Sequence, residues 1–129
     1  MHLKKSRALI CSESPQLRAV LSDADVAREA VETLERGEHD FVILDASTEH
    51  ATREHVRSIC GARRREMYVL LVSDHVTTGD GEQAWRESVD AVVHTDDAAR
   101  LGELMDEGRA AKQRLCGRYH EMALERGDG

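Results

Sequence analysis

Four polar residues follow short apolar runs of this chain, and their types and positions could support chemistry. These residues are Glu13, Asp45, Ser73 and His94. The apolar runs before them cover residues 7–11, 41–44, 67–72 and 91–93. An unbroken apolar run with β-branched members is typical of a strand buried on both faces of a parallel sheet. Ligands bind beyond the carboxyl ends of such strands, so we expect the four side chains to converge at one rim.

The segments between these runs carry helix signals. Ser14 before Pro15 predicts an N-cap followed by the first helical position, and Gly37 predicts the end of a second helix. Gly61 is expected to stop a third helix, and residues 63–65, three arginines, are expected to form a basic loop. The predicted helices cover residues 16–21, 26–34, 47–60 and 84–89, with a last one from 98 to about 125.

Strands that alternate with helices predict an α/β fold. We expect a doubly wound, flavodoxin-like parallel sheet of four to five strands with helices on both faces and an extended C-terminal helix. The chain has 129 residues, which suits one domain. Residues 1–112 are predicted to form that domain, and residues 113–129 a helical extension.

The last predicted helix carries a loose heptad. Its seam consists of Leu101, Leu104, Gly108, Ala111, Leu115, Arg118 and Met122. The first half can pack on the sheet, whereas the second half needs a partner, stays exposed or frays. We expect Leu115, Tyr119 and Met122 to contact a second copy, as a homodimer, or another protein, with a frayed tail as the alternative.

Composition excludes several classes of function. A net charge of −7 and an aromatic content of 3% argue against a nucleic-acid partner. No apolar run approaches the roughly 20 residues of a membrane span, and the start of the chain lacks a signal-peptide pattern, so we expect a cytoplasmic protein. The three cysteines predict free thiols. Residues 77–81 lack a phosphate-loop motif, so we expect no nucleotide cofactor and no enzyme.

The order of these strand ends resembles the receiver domain of bacterial two-component response regulators, over residues 7 to about 112. Receivers carry an acidic pair after strand one, often followed by Ser-Pro, and residues 12–15, Ser-Glu-Ser-Pro, stand in that place. The family's phosphoacceptor aspartate matches Asp45, and its Ser or Thr after strand four matches Ser73. Its Lys-Pro pair after strand five falls on His94 and Thr95.

The resemblance implies a phosphorelay site. Glu13 and Asp45 would hold Mg²⁺, Ser73 would read the phosphoryl group, and His94 would partly replace the lysine. One acid is lost to Ser12 and the lysine is lost to His94, which indicates a degenerate, or pseudo-receiver, site. The first hypothesis is therefore a stand-alone signalling domain that acts by protein–protein interaction. The alternative is a working phosphoacceptor at Asp45, with a histidine kinase as its partner.

The stretch between the first strand and residue 41 is several residues too short for the helix, strand and helix that receivers have there. Either the first helix is truncated and residues 25–27 form a vestigial second strand, or strand two is absent and helix covers the sheet edge. We favour truncation.

Overall fold

The computed structural model describes residues 7–21, 24–26, 30–37 and 39–125, with side chains up to residue 116. The strands are β1 (Ala8–Cys11), β2 (Asp25–Val26), β3 (Phe41–Leu44), β4 (Tyr68–Ser73) and β5 (Ala91–His94). The helices are α1 (Pro15–Val20), α2 (Val31–Glu35), α3 (His50–Ser58), α4 (Gly61–Glu66), α5 (Gly81–Arg86) and α6 (Leu101–Glu125), with a 3-10 helix over Thr95–Arg100 before α6.

The five strands form one parallel sheet in the order β2-β1-β3-β4-β5. This confirms the predicted α/β fold with its parallel sheet and long last helix. It also settles the fate of strand two, because Asp25 and Val26 pair with β1. The second strand is therefore present and only two residues long, as the truncation hypothesis expects.

Successive residues of each central strand point to opposite faces and enter two separate cores. One core contains Leu9, Val42, Leu44, Val69, Leu71 and Val92, with Val56 of α3 packed on it. The other contains Ile10, Ile43, Leu70 and Val93, with Leu101 and Met105 of α6 packed on it. Each fully buried aliphatic side chain stabilises the fold by roughly 1.5–3 kcal/mol, so the two cores fix the sheet and its rim together.

The short strand β2 is fastened by its acidic residue. The Asp25 carboxylate accepts from Nε2 of the buried His39 at 2.8 Å and from Arg7 Nη2 at 2.6 Å. Both bonds favour the charged form, first the one from His39 and then the one from Arg7, and they lower the pKa of Asp25. Side-chain bonds from β1 and from the start of β3 therefore replace the backbone pairs that a longer strand would have.

Several predicted element boundaries are wrong. Val26 lies in β2, so the helix expected over 26–34 is reduced to α2. The helix expected over 47–60 ends at Ser58, and Gly61 begins α4 instead of only stopping its predecessor. The arginines 63–65 lie in that helix and not in a loop. The helix predicted through 84–89 is α5, which starts after the Asp80 N-cap and ends at Arg86.

A cluster of ion pairs around Asp90 holds α4 and α6 at the amino-terminal edge of the sheet, where β4 and β5 begin. The Asp90 carboxylate pairs with Arg64 at 2.7 Å and with Lys112 at 2.9 Å, and it accepts from the Val69 N–H at 2.7 Å. Lys112 also donates to the carbonyl of Met67 at 2.6 Å. Each of the three charged side chains is about one-fifth exposed or less. Their charges are thus compensated where they are desolvated, as buried charges must be.

The loop before α5 lies along the outer side of β5. The Gly79 N–H donates to the Val92 carbonyl at 3.1 Å, and the His94 N–H donates to Thr78 Oγ1 at 2.8 Å. Gly79 has a φ of 84°, which suits a residue without Cβ. The loop before α5 therefore forms hydrogen bonds with two backbone polar groups of β5.

Helix α6 is continuous across residue 112, and the division into a domain and an extension stays a prediction. In the part of the chain that is described, no helix is long and apolar enough to cross a membrane.

Substitution of glycine by alanine is expected to have opposite effects at positions 108 and 102 of α6. A Cβ at 108 would overlap the ring of the buried Tyr68, whereas nothing lies within 4 Å of a Cβ at 102. We expect Gly108→Ala to lower the free energy of unfolding by about 1–3 kcal/mol through overpacking, and Gly102→Ala to raise it by roughly 0.5–1 kcal/mol through helix propensity. Urea unfolding of both variants measures the difference, and a stabilised Gly108→Ala would contradict the Tyr68 contact.

Candidate functional site

The Asp45 carboxylate lies at the end of β3 with both oxygens hydrogen-bonded. Oδ1 accepts from the Ser47 backbone N–H at 2.8 Å and from its hydroxyl at 2.7 Å. Oδ2 accepts from the hydroxyl of Ser12, at the end of β1. The first of these bonds forms an Asx turn, so the carboxylate caps the turn that follows β3.

The Ser12 hydroxyl connects several elements of the site through hydrogen bonds. Its side chain is 3% exposed, and its hydroxyl accepts from the Ser14 backbone N–H at 2.9 Å while donating to Asp45. Ser14 is in turn the N-cap of α1, and Pro15 is the first helical residue, as predicted. The position where receivers carry an acid thus holds a neutral donor that ties the start of α1 to the end of β3.

Further polar contacts hold the turn after Asp45. Thr48 Oγ1 accepts from the Asp45 N–H at 2.9 Å and donates to the Cys11 carbonyl at 2.5 Å, and Arg53 Nη2 donates to the Asp45 carbonyl. Ser47 Oγ accepts from the Glu13 backbone N–H at 2.9 Å. Ser47, Thr48 and Arg53 were not among the predicted site residues. The run Asp-Ala-Ser-Thr carries an Asx-turn signal for the first two, whereas Arg53 has no local signal.

Cys11 lies beneath this cluster and is inert. Burial, and secondarily the charge of Asp45, raises the pKa of its thiol to about 12. The thiol therefore stays protonated near neutral pH and packs as a small hydrophobic side chain.

Ser73 and His94 are neighbours at the ends of β4 and β5, where they pair in register. The Ser73 hydroxyl accepts from the His75 N–H at 3.0 Å, which makes it a cap for the following turn. His94 Nδ1 accepts from the Asp96 N–H at 3.0 Å and caps the 3-10 helix. The structure thus gives both residues local capping contacts, and their roles at a phosphoryl group stay predictions.

The donor set does not fit a Mg²⁺ ion. Such an ion is bound through carboxylates with several waters, yet both oxygens of Asp45 are taken by hydroxyl and amide donors. The described ranges contain no group of three or more His, Cys, Asp or Glu side chains that could hold a metal. Glu13 contributes its backbone N–H to the site through Ser47, and its side chain is exposed. The assignment of Glu13 and Asp45 as metal ligands stays a prediction without support from this geometry.

No protein-family model matches the chain, and no curated protein matches it in sequence. Solved structures share its fold. A LuxR-family DNA-binding response regulator from Staphylococcus aureus is 20% identical, with a TM-score of 0.59 over 81% of this chain and 99% of that chain. A response regulator from Thermotoga maritima is 16% identical, with a TM-score of 0.56 over 82% and 98%.

A third solved structure extends further along the chain. It is a fusion that contains amino acids 181–211 of the trimeric coiled coil of yeast Spc42, 17% identical, with a TM-score of 0.64 over 98% of this chain and 94% of that chain. Together the matches confirm the fold predicted from the sequence. The chain has the flavodoxin-like receiver fold of response regulators.

Ser12 stands where receivers carry an acid, so a carboxylate introduced at this position is predicted to create a metal site. We expect Ser12→Asp to place a second carboxylate beside Asp45, which lowers the unfolding temperature through repulsion and makes it rise again with added Mg²⁺. Ser12→Asn is the matched control without charge and should not respond to Mg²⁺. Thermal unfolding with and without millimolar Mg²⁺ measures this. A wild-type protein stabilised by Mg²⁺ as strongly as Ser12→Asp would contradict the interpretation of the donor set.

Proposed function

We propose that this chain is a receiver-like signalling domain that works by binding other proteins, without catalysis and without phosphorylation of Asp45. The observation that carries the proposal is the pair of hydroxyl donors, Ser12 and Ser47, on the two oxygens of that carboxylate. The three free thiols fit a reducing compartment, and we propose the cytoplasm.

Phosphoryl transfer places demands on such a site. One carboxylate oxygen must attack phosphorus, and positive charge must neutralise the phosphoryl oxygens as the bond forms. Here the attacking group would first have to give up a hydrogen bond to a buried serine. Position 12 carries a serine and not a second acid that could hold a metal, and Nδ1 of His94 is engaged in capping the 3-10 helix. These contacts favour a degenerate site over the alternative of a working phosphoacceptor.

Intact-protein mass after incubation with acetyl phosphate and Mg²⁺ tests this proposal. We expect neither the wild type nor Asp45→Asn to gain a phosphoryl group, while a conventional receiver labelled in the same experiment does. The reaction is quenched quickly because acyl phosphates hydrolyse. A gain in the wild type that Asp45→Asn abolishes would establish the alternative, with a histidine kinase as the physiological donor.

We place the partner-binding surface on α5, β5 and the first half of α6. Trp85, the only tryptophan of the chain, is 82% exposed on α5. Ser73 and His94 end the neighbouring strands β4 and β5. Tryptophan is enriched among the residues from which protein interfaces derive most of their binding energy. The partner is a signalling protein.

A second copy of the chain is proposed to pack along the second half of α6. Leu115 is 54% exposed on that helix. The heptad spacing continues through Tyr119 and Met122, whose side chains lie outside the described set. The likeness that covers 98% of the chain is to a protein fused to a coiled coil, which supports a helix able to continue into a helical assembly.

Light scattering across a range of concentrations tests the helical contact. We expect a wild-type dimer and a monomeric Leu115→Glu, because a carboxylate in an apolar seam is desolvated without a partner charge. Gln113→Glu adds the same charge at an exposed position of the same helix and should leave the dimer intact. A wild type that stays monomeric at every concentration would contradict this part of the proposal and leave the Trp85 surface as the binding site.

A further inference from the structure

A cleft of about 340 Å³ opens at the rim of the sheet between α3 and α5. Its apolar side is formed by Leu71 and Val76. Its polar side includes Arg53 of α3 and Arg86 and Glu87 at the end of α5. The volume falls at the small end of the range of roughly 300–1,000 Å³ that is typical of small-molecule sites. Ser73 at the end of β4 also lines the cleft, which therefore borders the site around Asp45.

Arg53 is the unusual member of the lining. Its side chain is partly buried, and Nη2 donates to the backbone carbonyl of Asp45. Two other arginines of α3 and α5 pair with acids, namely Arg57 with Glu54 and Arg86 with Glu82. Among the residues that the structure describes, Arg53 has no carboxylate within ion-pair distance. A guanidinium has five donors, so several donors of a partly desolvated cation border the cleft.

More basic than acidic side chains line the cleft. His75, Arg53 and Arg86 line it, with Glu87 as the one acid among the lining residues. The Asp45 carboxylate does not contribute to the lining, because Ser12 and Ser47 hold its oxygens on the side of β1. Because Arg86 already pairs with Glu82, the guanidinium of Arg53 is the group of this lining that lies beside the apolar wall without a paired carboxylate.

We propose that the cleft binds a small organic anion. A carboxylate or phosphate head group would accept hydrogen bonds from the donors of Arg53, supported by Arg86 and His75, because the planar guanidinium matches both head groups bidentately. The apolar body of the ligand would lie against Leu71 and Val76. This inference goes beyond the proposed function and does not rest on it, since neither phosphorylation of Asp45 nor a protein partner enters the argument.

Isothermal titration of the full chain with three probes tests the proposal. Phenyl phosphate and phenylacetate carry the two head groups on the same apolar body, and benzyl alcohol is the neutral control. We expect saturable binding of one or both anions and none of the alcohol. Arg53→Gln should weaken binding by roughly tenfold or more, the worth of a charge-assisted hydrogen bond. Arg100→Gln removes the same charge from an exposed arginine of the 3-10 helix and should leave affinity unchanged.

Arg53→Lys keeps the charge and loses the planar fork, so we expect it to bind more weakly than the wild type and more tightly than Arg53→Gln. If Arg53→Gln does not fold by circular dichroism, the comparison of Arg53→Lys with the wild type decides. The relative affinity of the two anions identifies the head group. The proposal is overturned if neither anion binds saturably at millimolar concentration, if benzyl alcohol binds as well as they do, or if both Arg53 variants bind like the wild type.

Discussion

The structure depends on the burial of β1, β3 and β4 between two layers of helices. With an aromatic content of 3%, the chain fills both layers mainly with Val, Leu and Ile, supplied by strands whose successive residues face opposite sides. A shift of one residue in any of these strands would send its side chains into the wrong core. The register is therefore fixed, and with it the place where each strand ends. Asp45, Ser12 and Ser73 owe their positions at one rim to this constraint.

The amino-terminal and carboxyl-terminal edges of the sheet, where its strands begin and end, differ in how their charges are compensated. At the amino-terminal edge, Asp90 compensates Arg64 and Lys112, and a backbone N–H completes its contacts. Truncation of one member would leave a desolvated charge without its partner, so this cluster reads as structural. At the carboxyl-terminal edge, the acid is held by hydroxyls and an arginine is held by a carbonyl. Of these two groups, the arginine has only the carbonyl as its side-chain hydrogen-bond partner among the described residues, so its charge is available to a ligand.

The strands and their ends could be predicted from the sequence, because an apolar run and a polar residue after it are local signals. The site could be predicted only in part. The bond from Ser12 to Asp45 joins residues 33 apart, and no spacing pattern indicates that a serine will donate where an acid is expected. Arg64 shows the same limit for the fold. Three consecutive arginines resemble a solvated loop until Asp90, 26 residues further on, gives the middle one a partner.

Strand β2 could be predicted from the sequence only indirectly. Two residues carry too little periodicity to predict a strand, and Asp25 is held there by Arg7 and His39, which are distant in sequence. The resemblance to receivers implied a strand here, and the short interval before residue 41 left open whether it was truncated or absent.

The loop over β5 has a consequence for how this molecule can associate. An outermost strand normally offers a row of free amides and carbonyls that can template another chain. Here the Gly79 N–H bonds to the Val92 carbonyl and the His94 N–H bonds to the Thr78 hydroxyl. At the opposite edge, the outermost strand β2 has two residues. Within the described ranges, neither edge offers a long template for edge-to-edge growth or for an added peptide strand. Contacts with other molecules are thereby directed to helix surfaces and to the rim, which also protects a small, strand-rich core from fibrillar aggregation.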